Sequence, residues 1–198
     1  MTMTTVTKKV TIPKPKEVSI ELPANPFTFE VFDIVNQLKT DEKKVEVLRK
    51  YEHPSFKALF IWNFDDTVIT ILPPGQVPYS NLKSEQKFRG TLSDKVENLV
   101  GTMKYNETNS LGNASDLTEG HTTIRKEFKR FYNFIKGGND SLPALRKETM
   151  FIQMLEGLHP LEAEILCLTK DKKLQTKYKI TKEIVSQAYP DITWGGRS

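Results

Sequence analysis

Lysine and arginine side chains are the groups in this sequence whose placement most clearly suggests a chemical role. Residues 121–198 carry 14 lysines and arginines against nine acidic residues, whereas residues 1–120 carry 15 against 16. The net charge of +4 therefore arises in the C-terminal part of the chain. Positive charges grouped in this way can contact phosphates without reading a base sequence. A solvated surface that binds nothing is an equally good interpretation of the charge alone.

Two segments supply the basic residues that we select as candidate nucleic-acid-binding residues. The first is a predicted helix over residues 122–136, in which basic side chains lie on both flanks of an apolar stripe. The second is the connection over residues 170–182, which contains six lysines and one aspartate. The candidates are Arg125, Lys126, Lys129, Arg130, Lys136, Lys172, Lys173, Lys177 and Lys179.

Groups that would support catalysis or hold a cofactor are sparse. The sequence has three histidines and a single cysteine, without zinc-ligand spacing or a glycine-rich phosphate loop. We therefore expect no catalytic residue, no cofactor and no metal site, and a protein that is not an enzyme. Cys167 lies in an apolar stretch, which is typical of a buried small apolar residue rather than a nucleophile. Asp65 and Asp66 are expected to have turn or cap roles.

A His-Pro pair occurs twice, in similar surroundings. LRKYEHPSFKALFIWNFDD and MLEGLHPLEAEILCLTKDK both run from a predicted helix through His-Pro into an apolar helix and an aspartate. The simplest role for His53 and His159 is therefore to cap a helix that begins at the following proline. Two helical hairpins of one design would explain the similarity, and coincidence explains it equally well.

Hydrophobic residues recur at helical spacing through most of the chain, which predicts a mainly α fold. Helix-end signals agree with this pattern: Asn25 followed by Pro26 marks a start, Gly157 an end, and Thr181 a further start. The expected architecture is a compact helical bundle of about six helices. In the helix over residues 122–136, the predicted core-facing stripe is Ile124, Phe128, Phe131 and Ile135.

Three regions depart from the helical pattern. Residues 1–24 alternate in polarity and contain prolines, which predicts an extended N-terminal arm. Residues 67–72 are rich in valine, isoleucine and threonine and predict a short β-like segment. We therefore expect a single helical domain over residues 25–190, with a polar insertion at about 75–120 and a flexible tail at 191–198.

Sequence features also indicate where the protein is found. No apolar run approaches the ~20 residues that a membrane helix needs, and the first residues contain no apolar signal segment. A single cysteine fits a reducing compartment. We expect a cytoplasmic protein without a membrane partner.

Four sequence segments carry a resemblance to a known family. They are NFDDTVITILPPGQVPY, FYNFIKGGN and RKETMFIQMLEGLHPLEAEILCLTKDKKL, followed by YKITKEIVSQAYP, and the resemblance as a whole spans roughly residues 29–190. In these segments the chain resembles an uncharacterised family of small proteins from T4-like tailed bacteriophages. The resemblance implies a helical phage protein made in the cytoplasm of the bacterial host, and it brings no site residues with it.

Three functions are compatible with these features. The first is a non-enzymatic accessory protein that binds nucleic acid, or a complex that handles nucleic acid, through its basic helical surface. The second is a structural or assembly protein of the virion that uses the N-terminal arm to pair with a neighbour. The third is a host-takeover factor that binds a bacterial protein, with Trp194 in the tail as its partner-binding residue. We rank the first highest because it rests on the charge distribution.

Overall fold

Helices make up most of the described part of the chain. The protein, a computed structural model, is described over residues 22–81, 88–91 and 121–196. Most of the predicted arm and of the predicted insertion lies outside these ranges. The α-helices are α1 (Thr28–Gln37), α2 (Asp41–Lys50), α3 (Pro54–Phe64), α4 (Ile124–Glu127), α5 (Ala144–Gly157), α6 (Pro160–Lys170), α7 (Leu174–Lys177) and α8 (Lys182–Ala188).

A 3₁₀ helix and a two-stranded ribbon complete the described part. A 3₁₀ helix, Phe128–Phe134, follows α4 directly, and two strands, β1 (Pro78–Asn81) and β2 (Phe88–Thr91), form an antiparallel ribbon. The prediction of a mainly α fold is confirmed. Six of the described α-helices have seven residues or more, which agrees with the expected bundle of about six, and α4 and α7 are single turns.

Helix α3 lies at the centre of the bundle because it is apolar on nearly every side. Phe56, Leu59 and Phe60 are completely buried, and Trp62 is almost so. The helix contacts α4, α6, α8 and the 3₁₀ helix. An apolar surface that surrounds a helix can be removed from water only by neighbours on all sides. The core therefore forms around α3.

Both His-Pro pairs cap helices, as predicted. The His53 Nδ1 atom accepts a hydrogen bond from the backbone N–H of Ser55 at 3.1 Å, and His159 Nδ1 accepts one from Leu161 at 3.2 Å. Burial and the nearby Arg125 lower the pKa of His53, which favours the neutral ring that can accept this bond. The hairpins α2–α3 and α5–α6 thus share one local design, and α3 packs against α6.

The predicted β-like segment near 67–72 is an extended strand-like segment held by a single bridge. Thr70 pairs with Ile135, and the N–H of Ile71 donates to the Phe134 carbonyl oxygen at 3.0 Å. Asp65, which precedes the segment, accepts from the Thr67 N–H at 3.0 Å and therefore has the expected turn role. The segment joins the end of α3 to the end of the 3₁₀ helix.

Two helix boundaries differ from the sequence prediction. Helix α1 begins at Thr28 instead of near Asn25, because the Glu30 carboxylate accepts from the Phe27 N–H at 2.7 Å and places the cap there. The predicted helix over residues 122–136 changes to 3₁₀ geometry at Phe128 and ends at Phe134. A left-handed Gly137, with φ of +78°, then turns the chain.

Candidate nucleic-acid interface

The 3₁₀ helix sorts its residues with a period of three, because it has three residues per turn. Phe131 and Phe134 are buried on one side, with ring centroids 5.3 and 6.2 Å from the ring of Trp62. Lys129 and Tyr132, also three residues apart, are exposed. Phe134, which the helical stripe omitted, therefore belongs to the core.

The exposed side of this region presents a row of three side chains at intervals of three residues. Lys126, Lys129 and Tyr132 are all exposed, and we call them the lysine–tyrosine ridge. Lys136 is exposed just beyond the end of the 3₁₀ helix. None of these three lysines forms an ion pair with any residue that the structure describes. Their charges therefore face solvent.

The two arginines of the same segment are engaged by the protein itself. Arg125 is partly buried; its Nε donates to the Pro26 carbonyl oxygen at 3.0 Å, and its guanidinium lies 5.4 Å from the centre of the Phe56 ring. Burial lowers the pKa of Arg125. Arg130 is exposed and pairs with Glu127 at 2.9 Å. Arg125 thus links the segment that precedes α1 to α3, and Arg130 neutralises an acid beside the ridge.

The second basic segment is divided between structural and exposed lysines. Lys172, with φ of +56°, occupies the left-handed position that closes α6, and its Nζ donates to the Asp65 carbonyl oxygen at 2.7 Å. Lys177 pairs with Glu164. Lys173 and Lys179 are exposed and form no ion pair within the described ranges. Two of the four predicted residues are therefore committed to internal contacts.

Acidic groups surround the exposed Lys173. A cleft of about 240 Å³ beside α6 is lined by Lys173, Glu164 and Asp171. Its lining also includes Cys167, whose burial raises the pKa of the thiol to about 12. The thiol is therefore protonated at neutral pH and is not a nucleophile there. Both carboxylates are paired, Glu164 with Lys177 and Asp171 with Lys170, so Lys173 is the single lysine that lines this cleft without an ion pair among the described residues.

A buried carboxylate, which the sequence did not single out, connects the starts of two helices, one of which leads into the ridge. Glu162 is fully buried, and its two oxygens accept from the N–H groups of Thr28 and Ile124, each at 2.9 Å. Burial raises the pKa of Glu162, while these hydrogen bonds and Arg125 act in the opposite direction. The side chain joins the starts of α1 and α4, and α4 leads into the ridge. In sequence it is simply an acid in the first turn of a helix, so no local signal marks it.

Residues 31–104 and 97–176 of the chain match a family described as a family of unknown function (DUF6433). The chain belongs to this family. The expectation of an uncharacterised family is thereby confirmed. No curated protein and no solved structure matches the chain. The DUF6433 match includes the whole lysine–tyrosine ridge, whereas Lys177, Lys179 and Trp194 follow it.

The segment after α8, beyond the DUF6433 match, lies against the body of the protein. The indole N–H of Trp194 donates to the Ser186 hydroxyl at 3.0 Å, and Lys182 Nζ lies 5.0 Å from the ring centre. The N–H of Gly195 donates to the Asp65 carboxylate at 2.9 Å. Residues 191–196 are thus held in place where the sequence suggests a flexible tail, and Trp194 makes its contacts within the chain. Residues 197–198 lie outside the described residues.

Two further searches of this DUF6433 protein returned nothing within the described ranges. No group of three or more His, Cys, Asp or Glu side chains there is placed to hold a metal ion. No helix there is both long and apolar enough to cross a membrane.

Proposed function

We propose that this protein is a non-enzymatic accessory protein of a tailed bacteriophage and that it binds nucleic acid through the lysine–tyrosine ridge and Lys136. The proposal rests on one observation. Three exposed lysines lie within eleven residues of sequence, and none of them has a carboxylate partner among the described residues. Lysines of this kind bind phosphates by releasing counterions, and they need no base-specific contact.

The surroundings of the ridge support this role more than those of the second basic segment. Next to the ridge, Glu127 is already occupied, because it accepts from Arg130 and from the Thr122 hydroxyl at 2.8 Å. In the second segment, Glu164 and Asp171 are likewise paired, and they occupy Lys177 and Lys170 of that segment. The ridge and Lys136 therefore keep three exposed lysines without an ion pair among the described residues, whereas the second segment keeps two, Lys173 and Lys179.

The proposed biological setting follows from the resemblance to proteins of T4-like phages. A phage protein that is made in the bacterial host would meet nucleic acid, and the complexes that process it, in the host cytoplasm. A binder that recognises phosphates alone would act on many sequences, which suits an accessory role. The alternative of a virion protein rests on the N-terminal arm, and that of a host-takeover factor rests on Trp194, which is engaged within the chain.

The proposal is tested by fluorescence anisotropy with labelled oligonucleotides, single-stranded and duplex, in a salt series. The test variant is Lys126→Ala/Lys129→Ala, and the matched control is Lys39→Ala/Lys50→Ala, which removes two exposed lysines from the region of α1 and α2. We expect the test variant to bind more weakly and to lose about 0.7–0.9 from the salt slope for each phosphate contact removed. The control should retain the affinity and slope of the unaltered protein.

Two outcomes would overturn the proposal. One is the absence of binding by the unaltered protein, at low salt, to both kinds of oligonucleotide. The other is an equal loss of affinity in the test and control variants, which would show that net charge alone, and not the ridge, governs binding.

A further inference from the structure

Tyr132 is an aromatic residue that the fold leaves outside its core. It is 51% exposed, although its neighbours Phe131 and Asn133 are buried. Its ring makes no ring–ring or cation–ring contact with another described residue. A tyrosine buries a large apolar area when it packs, so the exposed part of this residue is available to a partner.

The backbone that carries Tyr132 is fixed from behind. Phe131 and Phe134 anchor it on Trp62, and the Asn133 Nδ2 group donates to the Arg130 carbonyl oxygen at 2.9 Å. Gly138 approaches so closely that a Cβ there would lie 1.9 Å from the Tyr132 carbonyl oxygen. The ring is therefore presented by a rigid support, which lowers the entropy lost when a ligand binds.

The spacing along the ridge places two exposed lysines at intervals of three residues before the ring. Lys129 lies one 3₁₀ turn before Tyr132, which corresponds to about 6 Å along the axis, and Lys126 lies a further three residues back. Proteins hold single-stranded nucleic acid with lysines that contact its sugar–phosphate backbone and with an aromatic ring that stacks on a base. In a duplex the base faces are covered by their neighbours, so the ring would have little to stack on.

We propose that the lysine–tyrosine ridge binds single-stranded nucleic acid in preference to duplex, with Tyr132 stacked on a base and Lys126 and Lys129 on phosphates of the same strand. This inference rests on the proposed function and specifies its ligand. Stacking depends little on base identity, because every base has an aromatic face. The ridge is therefore expected to accept many sequences.

The test compares Tyr132→Ala with Tyr132→Phe, which keeps the ring and removes only the hydroxyl. Binding is measured by anisotropy with oligothymidine as the single strand and with a mixed-sequence duplex of the same length. For Tyr132→Ala we expect single-strand affinity to fall between about 5-fold and 150-fold, and duplex affinity to change by less than about 2-fold. Tyr132→Phe should bind the single strand like the unaltered protein.

The salt dependence separates the two components of the ridge. Tyr132→Ala should leave the salt slope for the single strand unchanged, because no phosphate contact is lost. Lys126→Ala/Lys129→Ala should reduce that slope by about 1.4. Because Tyr132 is exposed, an unchanged thermal unfolding curve is expected for both tyrosine variants and serves as the control for folding.

The outcomes distinguish this inference from the proposed function. If the unaltered protein binds neither oligonucleotide, both fail. If it binds but Tyr132→Ala has no effect, or weakens single-strand and duplex binding equally, the stacking role is overturned while the proposed function stands. A loss in Tyr132→Phe as large as that in Tyr132→Ala would also overturn the stacking role, because the ring would then not be the group that binds.

Discussion

Glu162 is a single side chain on which the arrangement of three helices depends. It lies in the first turn of α6 and accepts the N–H groups of the first residues of α1 and α4. These amides have no partner within their own helices, so a buried start of either helix needs an acceptor from elsewhere. The carboxylate supplies one to each, and the hydrogen bonds offset part of the free energy lost by burying its charge.

We predict that Glu162→Gln lowers the free energy of unfolding by about 1–3 kcal/mol, measured by urea denaturation. The glutamine has the same shape, but its amide nitrogen is a donor and would face one of the two backbone N–H groups. Glu164→Gln is the matched control, because Glu164 lies on the same helix and its pair with Lys177 is partly exposed. The control should change stability by less than about 1 kcal/mol. Equal effects in the two variants would contradict the role assigned to Glu162.

Arg125 shows what residue types alone do not reveal. In the sequence, Arg125 lies on a basic flank of a predicted helix, just as Lys126 and Lys129 do. The residues that draw its guanidinium inward, Pro26 and Phe56, are remote in sequence. Such contacts follow from tertiary packing, which has no local pattern. The sequence thus shows where the basic residues are concentrated, while the division into internal and exposed side chains required the fold.

At the scale of elements, the 3₁₀ helix determines which face of residues 128–134 is buried. The sequence contains two apolar spacings at once. An α-helical stripe would continue from Phe131 to Ile135, whereas a period of three leads from Phe131 to Phe134. Pairing of residues 69–71 with Phe134 and its neighbours draws the chain into an extended conformation at Ile135, and this favours the second spacing.

This register can be tested by comparing Phe134→Ala with Ile135→Ala. Phe134 is completely buried against Trp62 and Phe151, so its truncation should cost about 3–5 kcal/mol of unfolding free energy. Ile135 is only partly buried, and its truncation should cost less than about 2 kcal/mol. Both values are obtained from urea denaturation followed by circular dichroism. A larger cost for Ile135→Ala would indicate that the α-helical register persists in solution.

The elements with strong local signals were the ones that the sequence predicted well. Helix α5 ends at Gly157, α6 begins at Pro160 and α8 begins directly after Thr181, as predicted, because glycine, proline and threonine mark those ends directly. The 3₁₀ helix could not be predicted in this way, since its geometry is imposed by a pairing with residues more than sixty positions earlier. The caps by His53 and His159 were predictable because the His-Pro pair restricts the backbone locally.

At the scale of the whole molecule, the C-terminal segment follows α8 and packs against α3 and the turn after it. Ile192 is buried, Lys57 pairs with Asp191 at 2.8 Å, and Gly195 reaches the Asp65 carboxylate. Local composition, with two glycines and a polar end, suggested flexibility. The contacts that oppose flexibility come from α3, from the turn that follows α3, and from α8, which contacts Trp194. The segment therefore acts as part of the folded domain.

Removal of residues 191–198 is expected to lower the free energy of unfolding by at least about 2 kcal/mol, chiefly through the lost burial of Ile192 and Trp194. Circular dichroism in urea is the suitable measurement, because the truncation removes one of the two tryptophans that fluorescence would report. Removal of residues 197–198 alone is the control and keeps every contact described here. Identical urea midpoints for the two truncations would contradict a stabilising role for this segment.

The position of Glu162 also affects whether parts of the protein can unfold locally. If α1 or α4 detached alone, the buried Glu162 carboxyl group would remain in apolar surroundings without one of its donors, at a considerable free-energy cost. Local fluctuations of these two helices are therefore suppressed, and their first amides should exchange with solvent only when the entire domain unfolds. The ridge follows the start of α4, so it should keep its structure until the whole domain unfolds. This holds although no described residue of the ridge is hydrogen-bonded to Glu162.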